Sequence, residues 1–86
     1  MSIQDQSMAA AIRRGREHIR KMNADRRRVD FIRKLITAAG RNEVQLTEVE
    51  WDFAIRIEND HGNQPVPDIH SGDCNIIDSF QRRFQV

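Results

Sequence analysis

The chain has 86 residues, with 14 Lys or Arg, 13 Asp or Glu and one cysteine, and a net charge of +1. A chain of this length forms one small domain with a thin core and little room for a deep substrate cleft. A single cysteine excludes an intrachain disulfide, and no apolar run is long enough for a signal sequence or a membrane span. We therefore expect a cytoplasmic protein without membrane contact.

The net charge conceals a strong asymmetry along the chain. Residues 1–41 carry 11 basic and 4 acidic side chains, a net charge of +7, whereas residues 42–86 have a net charge of −6. This polarity indicates either that the two halves pair with each other or that the basic half meets an external polyanion.

The first predicted element is basic and helical and covers residues 7–40. Small or apolar residues recur in it at steps of four, three, four and three: Met8, Ile12, Gly15, Ile19 and Met22. Such spacing is typical of a helix that packs lengthwise on a neighbour. Asn23 or Asp25 is a candidate N-cap of a second helix, so the segment is interpreted either as one long helix or as two. Gly40 is a typical C-terminal stop.

The acidic helix predicted for residues 47–61 has the clearest start signal. Thr47 and Glu50 have the spacing of a capping box, and Leu46 and Trp51 have the spacing of a hydrophobic staple. The apolar residues of this helix are predicted to fill the interior: Trp51, Phe53, Ala54, Ile55 and Ile57.

A proline-containing loop over residues 62–72 precedes a C-terminal helix predicted for residues 73–85. Ser71 or Asp73 is the candidate N-cap of that helix. One of its sides is predicted to be apolar: Ile76, Ile77, Phe80 and Phe84. Since no strand signal of useful length is present, the sequence predicts an all-α fold. We expect a small bundle of three or four helices in a single domain over residues 1–86.

The segment from residue 13 to residue 28 is the first candidate binding site. It holds eight basic residues: Arg13, Arg14, Arg16, Arg20, Lys21, Arg26, Arg27 and Arg28. A solvated helix face is sufficient to explain them. As a functional site they would contact either a protein partner or the phosphates of a nucleic acid, the latter with strong salt dependence. A helix–turn–helix is excluded because the second helix is acidic and phosphates would repel it.

Two further hypotheses concern self-association and chemistry. Four apolar residues predict a self-association seam, most simply of a homodimer, because a small chain has few other surfaces on which to bury them: Met8, Ile12, Ile19 and Met22. His61, His70 and Cys74 lie around the loop, but their spacing is incomplete for zinc and offers no nucleophile with an orienting partner. We therefore predict no metal, no cofactor and no catalytic residue.

The segment FIRKLITAAGRNEVQLTEVEWDFAIRI, residues 31–57, joins an aliphatic helix through a polar link to a helix start of the form L-T-E-x-E-x-x-F. It resembles small helical proteins of phages and mobile elements, over about a third of the chain. The resemblance implies a phage-encoded accessory protein or inhibitor, for example of the anti-defence or anti-CRISPR type. We expect a non-enzymatic protein that acts by contact with a host protein or nucleoprotein complex. Nucleic-acid binding through the Arg-rich segment, residues 13–28, is the alternative.

Overall fold

The computed structural model describes the backbone of residues 3–86 and the side chains of residue 16 and residues 18–86. Three helices follow one another: α1 (Ile3–Gly40), α2 (Glu48–His61) and α3 (Ser71–Arg83). No strand occurs in residues 3–86, so the predicted all-α bundle is confirmed. The 38 residues of α1 span about 57 Å at 1.5 Å per residue. This one helix accounts for almost the full length of a molecule that measures 60 × 24 × 18 Å.

The basic N-terminal part of the chain is one helix rather than two. Residues 3–40 are helical without interruption, so neither Asn23 nor Asp25 caps a new helix. Asp25 instead lies in mid-helix with a fully buried side chain. Its buried contacts, described below, explain why the polar residues at this point do not end α1.

The end of α1 is set by Asn42 rather than by the glycine. Gly40 is the last helical residue, but the residue with left-handed backbone geometry is Asn42, at φ 61°. The Asn42 N–H donates to the Ala39 carbonyl at 3.1 Å, and the Glu43 N–H donates to the Ala38 carbonyl at 2.9 Å. This pair of bonds is the Schellman arrangement, and asparagine tolerates its left-handed position better than most residues do.

The start of α2 follows the prediction, with one correction. Thr47 Oγ1 accepts the Glu50 N–H at 3.2 Å, and Glu50 Oε1 accepts the Thr47 N–H at 2.9 Å, so the capping box is confirmed. The prediction that Trp51 lies in the interior is wrong, because its side chain is 36% exposed. Trp51 lies in the first turn of α2 beside Leu46, where the α1–α2 link covers only part of the ring.

The third helix also requires corrections. Its N-cap is His70, whose Nδ1 accepts the Gly72 N–H at 3.1 Å, rather than Ser71 or Asp73. Ile76 is 42% exposed and lies at the edge of the apolar side, one residue away from the fully buried Ile77. A step of one residue turns a helix by about 100°, which is enough to move Ile76 out of the core.

The core lies along one face of α1. Buried side chains from all three helices and from the loop before α3 form it: Val29, Ile32, Leu35, Ala54, Ile57, Ile69, Cys74, Ile77 and Phe80. Phe53 of α2 and Phe80 of α3 meet edge to face, with ring centroids 5.5 Å apart. Both short helices therefore pack on the same side of α1 and leave its other side to solvent.

Candidate functional site

A buried carboxylate divides the basic residues of α1 into two groups. Asp25 Oδ2 accepts from Lys21 Nζ at 2.6 Å and from the Ile69 N–H at 3.2 Å, while Oδ1 accepts from Arg28 Nη1 at 2.8 Å. Burial alone would raise the pKa of Asp25, but the hydrogen bonds from these three donors outweigh it and hold the pKa below its ordinary value. Lys21 and Arg28 therefore stabilise the fold by compensating the buried charge of Asp25.

The same cations also reach the acidic half of the chain. Lys21 Nζ lies 2.7 Å from Asp68 Oδ1, and Arg28 Nε lies 2.9 Å from Asp78 Oδ1. The bond to Asp78 raises the pKa of Arg28 and lowers that of Asp78. A third cation of α1, Arg33, contacts both carboxylate oxygens of Glu58 on α2. Basic side chains of α1 thus pair with acidic side chains of the second half of the chain. This pairing of the two halves is one of the two interpretations that the charge asymmetry of the sequence indicated.

The other basic residues of the segment 13–28 form no comparable ion pairs among the side chains that are described. Arg16, Arg20, Arg26 and Arg27 are exposed. None of them takes part in an ion pair with another described side chain. The side chains of Arg13 and Arg14 lie outside the described residues. Of the eight basic residues that the sequence singles out, two are thus tied to the fold and four are exposed to solvent.

An exposed row of five cations runs along α1 and ends at the residue that directly follows the helix, and we call it the basic row: Arg16, Arg20, Arg27, Lys34 and Arg41. Four of these residues follow one another at steps of seven, which is two turns and about 10.5 Å along the helix axis. The core residues Val29 and Ile32 fall on the other side of the helix. Lys34 and Arg41 were not predicted as site residues, because both lie in a segment whose pattern is dominated by apolar residues. Their spacing of seven and fourteen residues from Arg27 was the signal that could have identified them.

The residues that flank the basic row differ between its two sides. Asn23, Asp30 and Thr37 are spaced by seven on one side and are exposed, whereas Ala24, Phe31 and Ala38 are spaced by seven on the other side and are half-buried or buried. At its C-terminal end, Lys34 and Arg41 border an open depression of about 320 Å³ that also includes Ala38, Glu43 and Val86. This side of α1 therefore offers mainly cations and polar groups, with exposed apolar surface near its ends at Ile19 and Val86.

The predicted self-association seam is only partly described. Ile19 is 56% exposed. Met22 is half-buried beside Pro65 and Pro67 of the loop, so part of its surface is covered within the chain. The side chains of Met8 and Ile12 lie outside the described residues. Ile19 is the large apolar side chain of the seam that is most clearly open to contact.

The residues around the loop have local roles. His70 caps α3, and His61 Nδ1 lies 2.9 Å from Gln64 Oε1. Cys74 is buried with its thiol 3.5 Å from Asp25 Oδ1, and burial raises the pKa of that thiol. Within the described part of the chain, no three His, Cys, Asp or Glu side chains are grouped as a metal site. In the same residues, no helix has the length and apolar character needed to cross a membrane.

No family model, no curated protein and no solved structure matches this chain. The functional proposals below therefore depend on the geometry of α1 and on the sequence.

Proposed function

We propose that the chain is a non-enzymatic binding protein that acts by contact with a protein of a host or nucleoprotein complex. The resemblance noted for residues 31–57 supports a phage-encoded accessory protein or inhibitor, for example of the anti-defence or anti-CRISPR type. The observation that carries the proposal is the extension of α1 beyond the part of it that packs on α2 and α3.

The extension is visible in the contacts of α1. Among the described side chains, hydrogen bonds from α1 to the rest of the chain begin at Lys21. The part of α1 before it, residues 3–20, is about 27 Å long. Its described side chains are all exposed, and Ile19 offers an apolar contact there. A helix that presents apolar anchors is an element that proteins insert into the groove of a partner.

The test is capture of a protein from a nuclease-treated lysate of a plausible host. Wild type is compared with Ile19→Asp and with Val49→Asp, a matched change at a position on α2 that is 78% exposed. We expect wild type and Val49→Asp to capture the same protein and Ile19→Asp to lose it, with equal helix content in all three. Equal capture by Ile19→Asp, or no specific capture by wild type, would overturn the proposal.

Direct nucleic-acid binding is the second candidate function. It is favoured by a separate observation, the exposed cations on the solvent side of α1. The two candidates use neighbouring residues of one helix, since Ile19 lies three positions from Arg16, and both contacts are compatible with a nucleoprotein partner.

A further inference from the structure

We infer that the basic row, Arg16, Arg20, Arg27, Lys34 and Arg41, binds the phosphate backbone of duplex nucleic acid. The inference rests on the proposed function only in taking α1 as the binding element, and its test needs no protein partner. It differs from the sequence-based alternative in its residues. Lys34 and Arg41 are included, whereas Lys21 and Arg28 are bound to carboxylates of the folded chain and Arg26 lies about 100° around the helix from Arg27.

The first support is the division of cations on α1. Lys21, Arg28 and Arg33 lie within 3.0 Å of carboxylate oxygens of the folded chain. No member of the basic row makes an ion pair among the described side chains, although Asp30 is exposed beside it. Lys21, Arg28 and Arg33 are therefore neutralised by carboxylates of the folded chain, whereas the basic row remains exposed on the side of α1 that faces away from α2 and α3. Because α2 and α3 pack on the other side of α1, these helices do not lie between the basic row and a polyanion.

The second support is the geometry of the row. Arg16 and Arg41 are 25 positions apart, which corresponds to about 38 Å at the rise of a helix, and Arg41 directly follows α1 with its N–H donating to the Thr37 carbonyl at 3.1 Å. One turn of duplex DNA is about 34–36 Å long, so a helix of this length can contact several phosphates of one backbone or of both. Because residues 3–40 form one helix, the cations keep fixed spacings, and binding would not require the chain to be ordered first.

The third support is the chemistry beside the cations. Protein interfaces are usually centred on apolar or aromatic anchors, although arginine is also enriched in them. The exposed residues that flank the row are Asn23, Asp30 and Thr37, and the apolar residues on its other flank, Ala24, Phe31 and Ala38, are half-buried or buried and so provide no exposed anchor. Phosphate contacts need cations and polar donors alone. Single-strand binding would call for aromatic platforms on which bases stack, and the row contains none, so the duplex is the favoured ligand.

The inference is tested by fluorescence-anisotropy titration of purified protein with two unrelated 20-base-pair duplexes and one single strand. If five phosphates are neutralised, the logarithm of affinity should fall with the logarithm of salt at a slope of about −4.5. That slope is a loss of about 500-fold between 50 and 200 mM salt. The two duplexes should bind alike, because phosphate contacts carry no sequence information. The single strand should bind more weakly.

Two double variants with the same loss of charge show whether the row itself is responsible. Arg27→Gln/Lys34→Gln removes two members of the row, and Arg26→Gln/Arg82→Gln removes two exposed arginines outside it. The row variant should flatten the salt slope by about 2 units, whereas the control should keep the wild-type slope. Matching thermal midpoints would show that all three proteins are folded.

Three results would overturn the inference. These are the absence of duplex binding at 50 mM salt, equal slopes for the two double variants, and tighter binding of the single strand. A fourth would assign the row to an acidic protein: capture from nuclease-treated lysate that the row variant loses and the control keeps, without duplex binding. Failure of the proposed function is a separate result, since it appears as undiminished capture by Ile19→Asp or as no capture by wild type.

Discussion

The backbone N–H of Ile69 donates to the buried carboxylate of Asp25 at 3.2 Å and so fastens the loop before α3 to the middle of α1. A carboxylate removed from water is tolerated only when donors surround it, and Lys21 and Arg28 supply charged ones. The same two cations continue to Asp68 and to Asp78. Asp25 is therefore the point at which the basic helix and the acidic half of the chain are joined.

Replacing Asp25 by alanine should lower the free energy of unfolding by about 3–5 kcal/mol. The change removes the shared acceptor and leaves the Ile69 N–H and parts of Lys21 and Arg28 without a partner. Urea unfolding followed by circular dichroism measures it. Asp30→Ala is the control, because Asp30 is exposed and should change stability by about 0.5 kcal/mol or less. Similar losses in the two variants would contradict the role of Asp25.

The ion pairs also predict an acid-sensitive fold. Hydrogen bonds from Arg28 and Arg56 hold the pKa values of Asp78 and Asp73 below their ordinary value, and the net shift of the Asp25 pKa has the same direction. A carboxyl whose pKa is lower in the folded state contributes stability above its unfolded pKa of about 3.9. That contribution is lost as the pH falls through the folded pKa. We expect the free energy of unfolding to be level near neutral pH and to decrease below about pH 5.

The pH dependence is measured by urea unfolding between pH 7 and pH 3. Asp78→Asn should be less stable than wild type at pH 7 and should lose less stability on acidification, because one of the shifted carboxyls is gone. A protein that gains stability as the pH falls from 5 to 3 would refute this interpretation.

Thr47→Ala should destabilise the protein by about 1 kcal/mol. The variant loses the hydroxyl that accepts the Glu50 N–H at the start of α2. Thermal unfolding is the measurement, and Thr37→Ala is the matched control. Thr37 is exposed within α1, where alanine is the better helix former, so that variant should be as stable as wild type or slightly more stable. A Thr47→Ala protein with an unchanged midpoint would show that the cap contributes little.

The exposure of Trp51 lowers the expected cost of removing it. Trp51→Ala should cost about 1–2 kcal/mol, since part of the ring already meets solvent. Phe80→Ala should cost about 3–5 kcal/mol, because Phe80 is 5% exposed and packs edge to face on both Phe53 and Phe84. Urea unfolding of the two variants side by side gives the order. The reverse order would place the main aromatic contact of the bundle at Trp51.

Self-association through α1 predicts a mass near twice 10.1 kDa in sedimentation equilibrium at micromolar concentration. Burying the exposed Ile19 side chain against a second copy would contribute about 1.5–3 kcal/mol. Ile19→Asp should therefore be monomeric, and Val49→Asp should behave as wild type. A monomeric wild type would remove the seam hypothesis and would assign any effect of Ile19→Asp in the capture experiment to the partner alone.

The parts of the fold that depend on local chemistry could be predicted from the sequence. The capping box of α2 needs only Thr47 and Glu50, three residues apart, and the structure contains it. The helical class follows from the same kind of short-range pattern. Trp51 was wrongly assigned to the interior, and Ile76, predicted on the apolar side of α3, lies at the edge of that side. An apolar side chain near a helix end or at the edge of a face is covered only if tertiary neighbours reach it.

The candidate site was less accessible to sequence reasoning. Asp25 was one of two candidate N-caps, beside the alternative of one long helix, because its partners Ile69 and Asp78, the latter through Arg28, lie 44 or more residues away in sequence. For the same reason the sequence did not separate Lys21 and Arg28 from their exposed neighbours. The continuity of α1 was also needed, since only an unbroken helix places Arg20, Arg27 and Lys34 on one side, with Arg41 directly after its last residue.

The seven-residue spacing of those four cations gives the basic row a handedness. An α-helix has 3.6 residues per turn, so positions seven apart fall behind by about 20° at each step, and the row winds slowly to the left around α1. Between Arg20 and Arg41 the accumulated rotation is about 60° over three steps. The two ends of the row therefore point in noticeably different directions. A ligand that contacts all of it must curve around the helix, as a polymer backbone can, whereas a flat surface would meet only neighbouring members.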